Sequence, residues 1–81
     1  MILKYPITTE KAVRIMEAEN KLMFVVDLKA TSEKIKKAFE QEFKVKVVKV
    51  NTLRKGKKKI AFIKISEKTP AIDIATRLGL M

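Results

Sequence analysis

The sequence predicts an α+β domain, a mainly antiparallel three- to four-stranded sheet packed with helices in the order β-α-β-α-β-β-α. Three observations predict it. Apolar residues switch repeatedly between helical and two-residue spacing along one unbroken chain. A lysine-rich turn holding a single glycine separates two neighbouring β-branched runs. The 81 residues leave room for one core only, so residues 1–81 read as a single domain.

Ile2 to Tyr5 is a short apolar opening closed by Pro6, and a proline with no N–H to donate suits an edge strand. Thr8 or Thr9 can cap the next segment, where Glu10 complements the positive end of a helix. Ala12, Ile15 and Met16 recur at helical spacing, which predicts a first helix from Thr9 to about Glu17. Asn20 marks a turn. From Lys21 to Lys29, Leu22, Phe24, Val26 and Leu28 alternate with Met23 and Val25, and apolar content on both faces predicts a central strand.

Thr31 and Ser32 offer capping oxygens to a second helix, in which Ile35, Ala38, Phe39 and Phe43 share a face. Glu33 and Lys37 stand in the favourable i, i+4 order on its outer side. Val45 to Leu53 reads as a strand whose alternation changes phase between Val47 and Val48, so a bulge or a strand start is expected there. Arg54 to Lys59 then forms a hairpin tip around Gly56, before a last strand from Ile60 to Ile65. Thr69 as cap with Pro70 at the first helical position opens a third helix bearing Ala71, Ile74, Ala75 and Leu78. Gly79 suits a left-handed C-terminal position, with Leu80 as its hydrophobic partner.

Nineteen basic residues against nine acidic ones give a formal charge of +10. Between Phe43 and Ser66 stand nine basic residues and no acid, so nearly all of the excess is concentrated there and a polyanion is the expected partner. One or two lysines at a turn serve only to block edge aggregation. Five bases around one glycine repel each other unless something negative is present, which favours binding. Lys49, Arg54, Lys55, Lys57, Lys58 and Lys59 are therefore the candidate phosphate contacts, with Asn51 and Thr52 as hydrogen-bond donors to sugar or phosphate.

The same composition removes much enzymology. With no Cys and no His there is no thiol nucleophile, imidazole base or Cys/His zinc site. Glu40 and Glu42 lack ligand partners and read as solvated helix positions, so no catalytic, metal or cofactor site is expected. The lack of cysteine and of a signal-like opening reads as intracellular, and no apolar run approaches the length of a membrane span. The aromatics Tyr5, Phe24, Phe39, Phe43 and Phe62 follow mostly core-facing patterns. Phe62 alone has an ambiguous face, and core packing is the preferred reading over base stacking.

Several segments together resemble a known family. Pro6-Ile7-Thr8-Thr9-Glu10-Lys11, Glu19-Asn20-Lys21 leading into Phe24-Val25-Val26, Ile35-Lys36-Lys37-Ala38, and Val45 through Thr52 with its Val50-Asn51-Thr52 end are similar, in that order, to the large-subunit ribosomal protein family L-twenty-three. The likeness runs over nearly the whole chain. It implies a cytoplasmic ribosomal protein that binds large-subunit rRNA, stands among neighbouring ribosomal proteins and forms part of the polypeptide exit-tunnel rim. In that family the acid of the Thr-Glu-Lys motif is where bacterial trigger factor docks, and the signal recognition particle and translocon contact the same neighbourhood. The matching acid here is Glu10, with Lys11 beside it as a further RNA contact; the plain alternative for Glu10 is a first-turn acid on a helix dipole.

Two departures limit what carries over. The join from Arg54 to Lys59 is short, like that of archaeal members and unlike the long bacterial loop, so a tunnel-lining role is not implied. Position 60 is Ile where the family tends to have a second basic residue, so no RNA contact is transferred to it. No basic N-terminal extension of the eukaryotic kind is expected either. Three rivals remain: a free-standing basic RNA/DNA-binding module, which would bind unrelated nucleic acids equally well; a small phosphate-handling enzyme, which lacks a catalytic constellation; and a basic membrane-surface protein, which lacks a suitable amphipathic helix.

Overall fold

A computed structural model describes residues 2–79. It follows the predicted order: β1 (Leu3–Pro6), α1 (Glu10–Glu19), β2 (Lys21–Val26), α2 (Ser32–Phe43), β3 (Val47–Lys55), β4 (Lys58–Ile65) and α3 (Ala71–Arg77). The four strands form one antiparallel sheet in the order β1-β2-β4-β3. β2 and β4 are thus the central strands, which is why β2 is apolar on both sides and buried from Leu22 to Val26.

Register assigns each strand residue to a face. Leu22, Phe24 and Val26 lie opposite Ile63, Ala61 and Lys59, and the apolar members of this set join one core with Met16 of α1, Ile35 and Phe39 of α2, and Ala71, Ile74 and Ala75 of α3. The buried residues of all three helices therefore belong to one side of the sheet. Phe39 and Ile35 are fully enclosed, each worth about 2 to 3 kcal/mol of transfer free energy. Phe39 meets Phe24 edge-on at 5.7 Å and Phe43 at 4.6 Å between ring centres, distances at which aromatic pairs attract beyond their buried area.

Helix ends explain most boundary differences. Thr9 and Thr31 cap α1 and α2, their hydroxyls accepting from the N–H groups of Ala12 and Lys34. Both helices end on left-handed residues, Asn20 at φ 55 and Lys44 at φ 54, so α1 runs two residues beyond the expected Glu17. β2 stops at Val26, three residues short of the expected Lys29. There Asp27 accepts the Lys29 N–H on its carboxylate at 3.0 Å and the Ala30 N–H on its carbonyl, turning the chain and leaving Leu28 exposed. That hydrogen bond, aided by Lys4 and Lys29, holds the Asp27 pKa below the usual carboxylate value.

The expected phase change is present: the β3–β4 register shifts between Val47 and Lys49, leaving Val48 as the extra residue of a bulge. Glu40, read from sequence as solvated, is half-buried, and its carboxylate accepts the Val47 N–H at 2.9 Å where the strand begins. Glu33 and Lys37 do not pair; the ion pairs among the described residues are Arg14–Glu10 and Lys21–Glu19. The hairpin loop is only Gly56-Lys57. Gly56 has φ +60 and Lys57 does not share the positive sign, the sign pattern of a II′ turn. Lys55 and Lys58 thus belong to the strand ladder and not to a loose tip.

The start of α3 departs most from expectation. Its cap position is Pro70, with Ala71 first in the helix, and Thr69 does not cap it. The missing acceptor comes from Asn20, whose Oδ1 accepts the Ala71 N–H at 2.6 Å across 51 residues of sequence. The Asn20 amide donates to the carbonyls of Ile65, Ser66 and Thr69 at 3.1 to 3.3 Å, and its backbone carbonyl accepts from Ile65 N–H. At the other end Gly79 takes the left-handed conformation expected of it, φ +75, while the Leu80 contact lies outside the described residues.

These observations generate two stability predictions. Asn20→Gly keeps the left-handed cap at no steric cost but removes the side-chain bonds, and chemical denaturation should show a loss of about 2 to 3 kcal/mol. Unchanged stability would mean that the amide contributes nothing. For Asp27 the folded pKa is depressed, so its contribution is present above the unfolded value of about 4 and is lost as pH falls through the lower folded value. The stability gap between wild type and Asp27→Ala should therefore be widest near neutrality and close as the pH falls below the unfolded value of about 4.

Candidate nucleic-acid interface

Acids and bases are divided between the layers. The four strands carry Lys4, Lys21, Lys49, Arg54, Lys55, Lys58, Lys59 and Lys64 and not one Asp or Glu. The helices hold Glu10, Glu17, Glu19, Glu33, Glu40, Glu42 and Asp73 against a similar number of bases. The helical layer is nearly neutral, and the excess charge of the molecule resides on the sheet and its hairpin.

The sheet face turned away from the core presents that charge in rows. Lys21, Lys64 and Lys49 are register partners across β2, β4 and β3. The next row holds Met23, Phe62 and Asn51, and the next Tyr5, Val25, Ile60 and Leu53. Lys58 and Lys55 close the far end. None of the apolar residues in these rows belongs to the core cluster. Tyr5 and Leu53 are 47% and 52% exposed, Phe62 and Ile60 are half-buried, and Met23 and Val25 of the central strand are buried between their neighbours. The core-facing reading of Tyr5 and Phe62 is thus corrected: both stand on the uncovered face. For Phe62 the sequence could not reveal this, because β4 is apolar at both phases and alternation alone does not say which side receives the helices. Tyr5 leaves the core-facing side of Leu3 because the β1–β2 register shifts between them.

The candidate RNA contacts accordingly separate. Lys49, Asn51, Lys55 and Lys58 share the uncovered face, while Thr52, Arg54 and Lys59 occupy the opposite phase of the same two strands, opposite or beside Ala61. Lys57 stands in the turn. All are exposed except Lys59, whose ammonium donates to the Ala30 carbonyl at 2.6 Å and ties the hairpin root to the loop before α2. Its charge stays at the surface, but its tip is engaged. Lys11 is exposed in the first turn of α1, apart from the basic sheet. Glu10, next to it, forms an exposed ion pair with Arg14 at 2.9 Å, a pair worth a few tenths of a kcal/mol in such a setting.

Lys64 and Lys21 were not singled out from the sequence as contacts. The signal was available in Lys64, which falls two residues from Phe62 in the same alternation. It was absent for Lys21, which sits 43 residues away and joins the row only through the β2–β4 register.

A concavity of about 350 Å³ lies elsewhere, between β1 and α2, and is walled mainly by Ile2, Leu3, Phe24, Ala38, Phe43 and Leu78. Lys4, Tyr5 and Glu42 also line it, and they make no nucleophile–base pair. Among the described residues no group of three His, Cys, Asp or Glu could hold a metal ion, and no helix is long and apolar enough to cross a membrane.

Comparison with known proteins agrees with the likeness read from the motifs. The family model described as Ribosomal protein L23 matches residues 1–76. The chain is also similar to a Trypanosoma brucei brucei protein named Large ribosomal subunit protein uL23, with 44% identity over 81 residues. That match takes in 99% of this chain and 49% of the relative, so the chain spans about half the relative's length. With the family match running from the first strand almost to the end of the third helix, the chain belongs to the Ribosomal protein L23 family.

Proposed function

We propose that this chain is a non-catalytic structural constituent of the large ribosomal subunit in the cytoplasm, and that its domain, residues 1–81, binds large-subunit rRNA. Family membership supports the ribosomal setting. The observation that carries RNA binding is the charge division: eight basic residues and no acid on the strands, with one sheet face uncovered. A rigid two-stranded ribbon bearing Arg54, Lys55 and Lys58 at fixed spacing offers phosphates a preset array, and charge-assisted contacts of this kind fix orientation on the RNA. Specificity then comes from RNA shape and the 2′-hydroxyl. In the same reading the domain stands among neighbouring ribosomal proteins at the exit-tunnel rim. The exposed Glu10–Arg14 pair, on α1 and away from the sheet, is available for the signal recognition particle or another nascent-chain factor.

A competition titration tests this reading, with protein-free large-subunit RNA set against an unrelated structured RNA of equal length at about 0.15 M salt. Preference for the ribosomal RNA by about a hundredfold, or roughly 2.7 kcal/mol, is expected. Equal affinity would leave a free-standing basic RNA/DNA-binding module instead. If about six phosphates are neutralised, log affinity falls against log salt with a slope of about −4 to −5. Arg54→Ala, Lys55→Ala and Lys58→Ala combined should make that slope shallower by about 2 to 3, whereas Lys36→Ala with Lys37→Ala on α2 leaves it unchanged. Glu10→Lys should weaken co-sedimentation of the signal recognition particle with ribosomes carrying this chain while RNA affinity is retained; undiminished co-sedimentation would remove Glu10 from the docking role.

A further inference from the structure

We propose that the apolar strip in the middle of the uncovered sheet face seats unpaired nucleobases, so that the protein holds single-stranded or bulged-out nucleotides of its RNA as well as backbone phosphates. This rests on the RNA-binding reading above and names the part of the RNA taken by that site.

The strip consists of two adjoining rows, in which exposed Tyr5 and Leu53 and half-buried Phe62 and Ile60 offer the contact surface, while Met23 and Val25 of the central strand are buried beneath their neighbours and form its floor. Lysines close it at both ends along the strand direction, Lys21, Lys64 and Lys49 at one end and Lys55 and Lys58 at the other. From Lys49 to Lys55 is six residues of strand, about 20 Å, a span that an extended segment of a few nucleotides crosses.

Charge complementarity selects the occupant. A second apolar protein layer would cover Tyr5 and Leu53, but it would also bring the bordering lysines against it. Lys21 is paired with Glu19, whereas Lys49, Lys55, Lys58 and Lys64 have no acid on any strand to pair them, and charges brought out of water unpaired are costly. A nucleotide answers both demands, because its base presents an apolar π-face and its phosphate an anion. The Lys58 ammonium already lies 5.9 Å from the centroid of the Tyr5 ring, at the outer range of a cation–π contact. The ring therefore offers a face to a partner approaching over the strip, and a phosphate following a stacked base would meet that same ammonium. Asn51, exposed in the Phe62 row, supplies both a donor and an acceptor for a base edge or a 2′-hydroxyl.

The chain itself provides the reporter. Tyr5 is its single tyrosine and there is no tryptophan, so intrinsic emission reports on this strip alone. The full chain is titrated with a uridine oligomer of about eight nucleotides, a length within the site sizes of stacking folds, and with an abasic ribose-phosphate strand of the same length. The base-bearing strand should bind about tenfold more tightly and quench the Tyr5 emission. Tyr5→Leu and Phe62→Leu should each narrow the difference between the strands while leaving abasic-strand affinity and its salt slope unchanged. Equal affinity of wild type for the two strands, with unaltered emission, would overturn the stacking site and leave phosphate binding intact; a face covered by a neighbouring protein would give that result. Failure of both strands and of large-subunit RNA to bind would overturn the RNA-binding reading as well. The comparison of strands on the wild-type chain does not depend on either variant folding.

Discussion

The bonds made by Asn20 are the constraint on which the arrangement of this molecule depends. Its backbone ends α1 in a left-handed turn and its side chain reaches the end of β4 and the start of α3. Each of those chain segments has orphan polar groups: the first N–H groups of a helix and the carbonyls of a strand that has left its ladder. One short amide satisfies both kinds at once and so ties the two halves of the chain together behind the sheet. Asparagine suits the position because it tolerates positive φ and carries donor and acceptor on one short side chain. With α1 and α3 held there and Arg77 donating to the Phe43 carbonyl at the end of α2, all three helices commit their apolar sides to one face of the sheet.

Single-sided burial then decides where charge and function reside. A face occupied by Phe24, Phe39, Ile63 and Ile74 cannot hold unpaired charge, so the strand lysines that alternate with core residues are directed away from the helices. Of the helix acids, Glu19 pairs with Lys21 and Glu40 accepts the Val47 N–H. The other strand bases have no ion-pair partner among the described residues, so the helices leave most of the sheet charge unneutralised. The molecule is therefore electrostatically two-sided, although its net charge alone would not say so. An anion approaching the sheet meets a field that the nearly neutral helical layer hardly weakens, and the exposed acid at Glu10 presents a different chemistry on α1.

Much of this was legible in the sequence, for local reasons. The cap at Thr9, the cap at Thr31, the phase slip near Val48 and the left-handed Gly79 are written in residues adjacent to the feature they produce. So was the basic hairpin, because its lysines follow one another directly. What was not legible depends on partners distant in the chain. Asn20 reads as a turn residue until Ala71 is placed beside it, Glu40 as a solvated acid until Val47 N–H is, and Lys59 as a free cation until the Ala30 carbonyl is. Tyr5 is turned to the uncovered face by the register shift between Leu3 and Tyr5 in β1, and Phe62 is illegible for a different reason. Periodicity sorts a strand into two faces but does not label the covered one when both are apolar.

The hairpin gains its character from being a ladder up to its last pair. In a disordered loop each lysine would lose rotamer and backbone freedom on meeting a phosphate, a cost of more than 1 kcal/mol per ordered residue. Here Lys55 pairs with Lys58 and Arg54 with Lys59, so the backbone term has been met by folding. Alternation also sends successive bases to opposite sides: Lys55 and Lys58 extend the uncovered face, and Arg54 extends the other. Lys59, fastened to Ala30, holds the root of the ribbon against the body of the domain, and thereby fixes the direction in which the rest of the charge points. A ribbon built this way presents charge on both of its sides from a stiff stem.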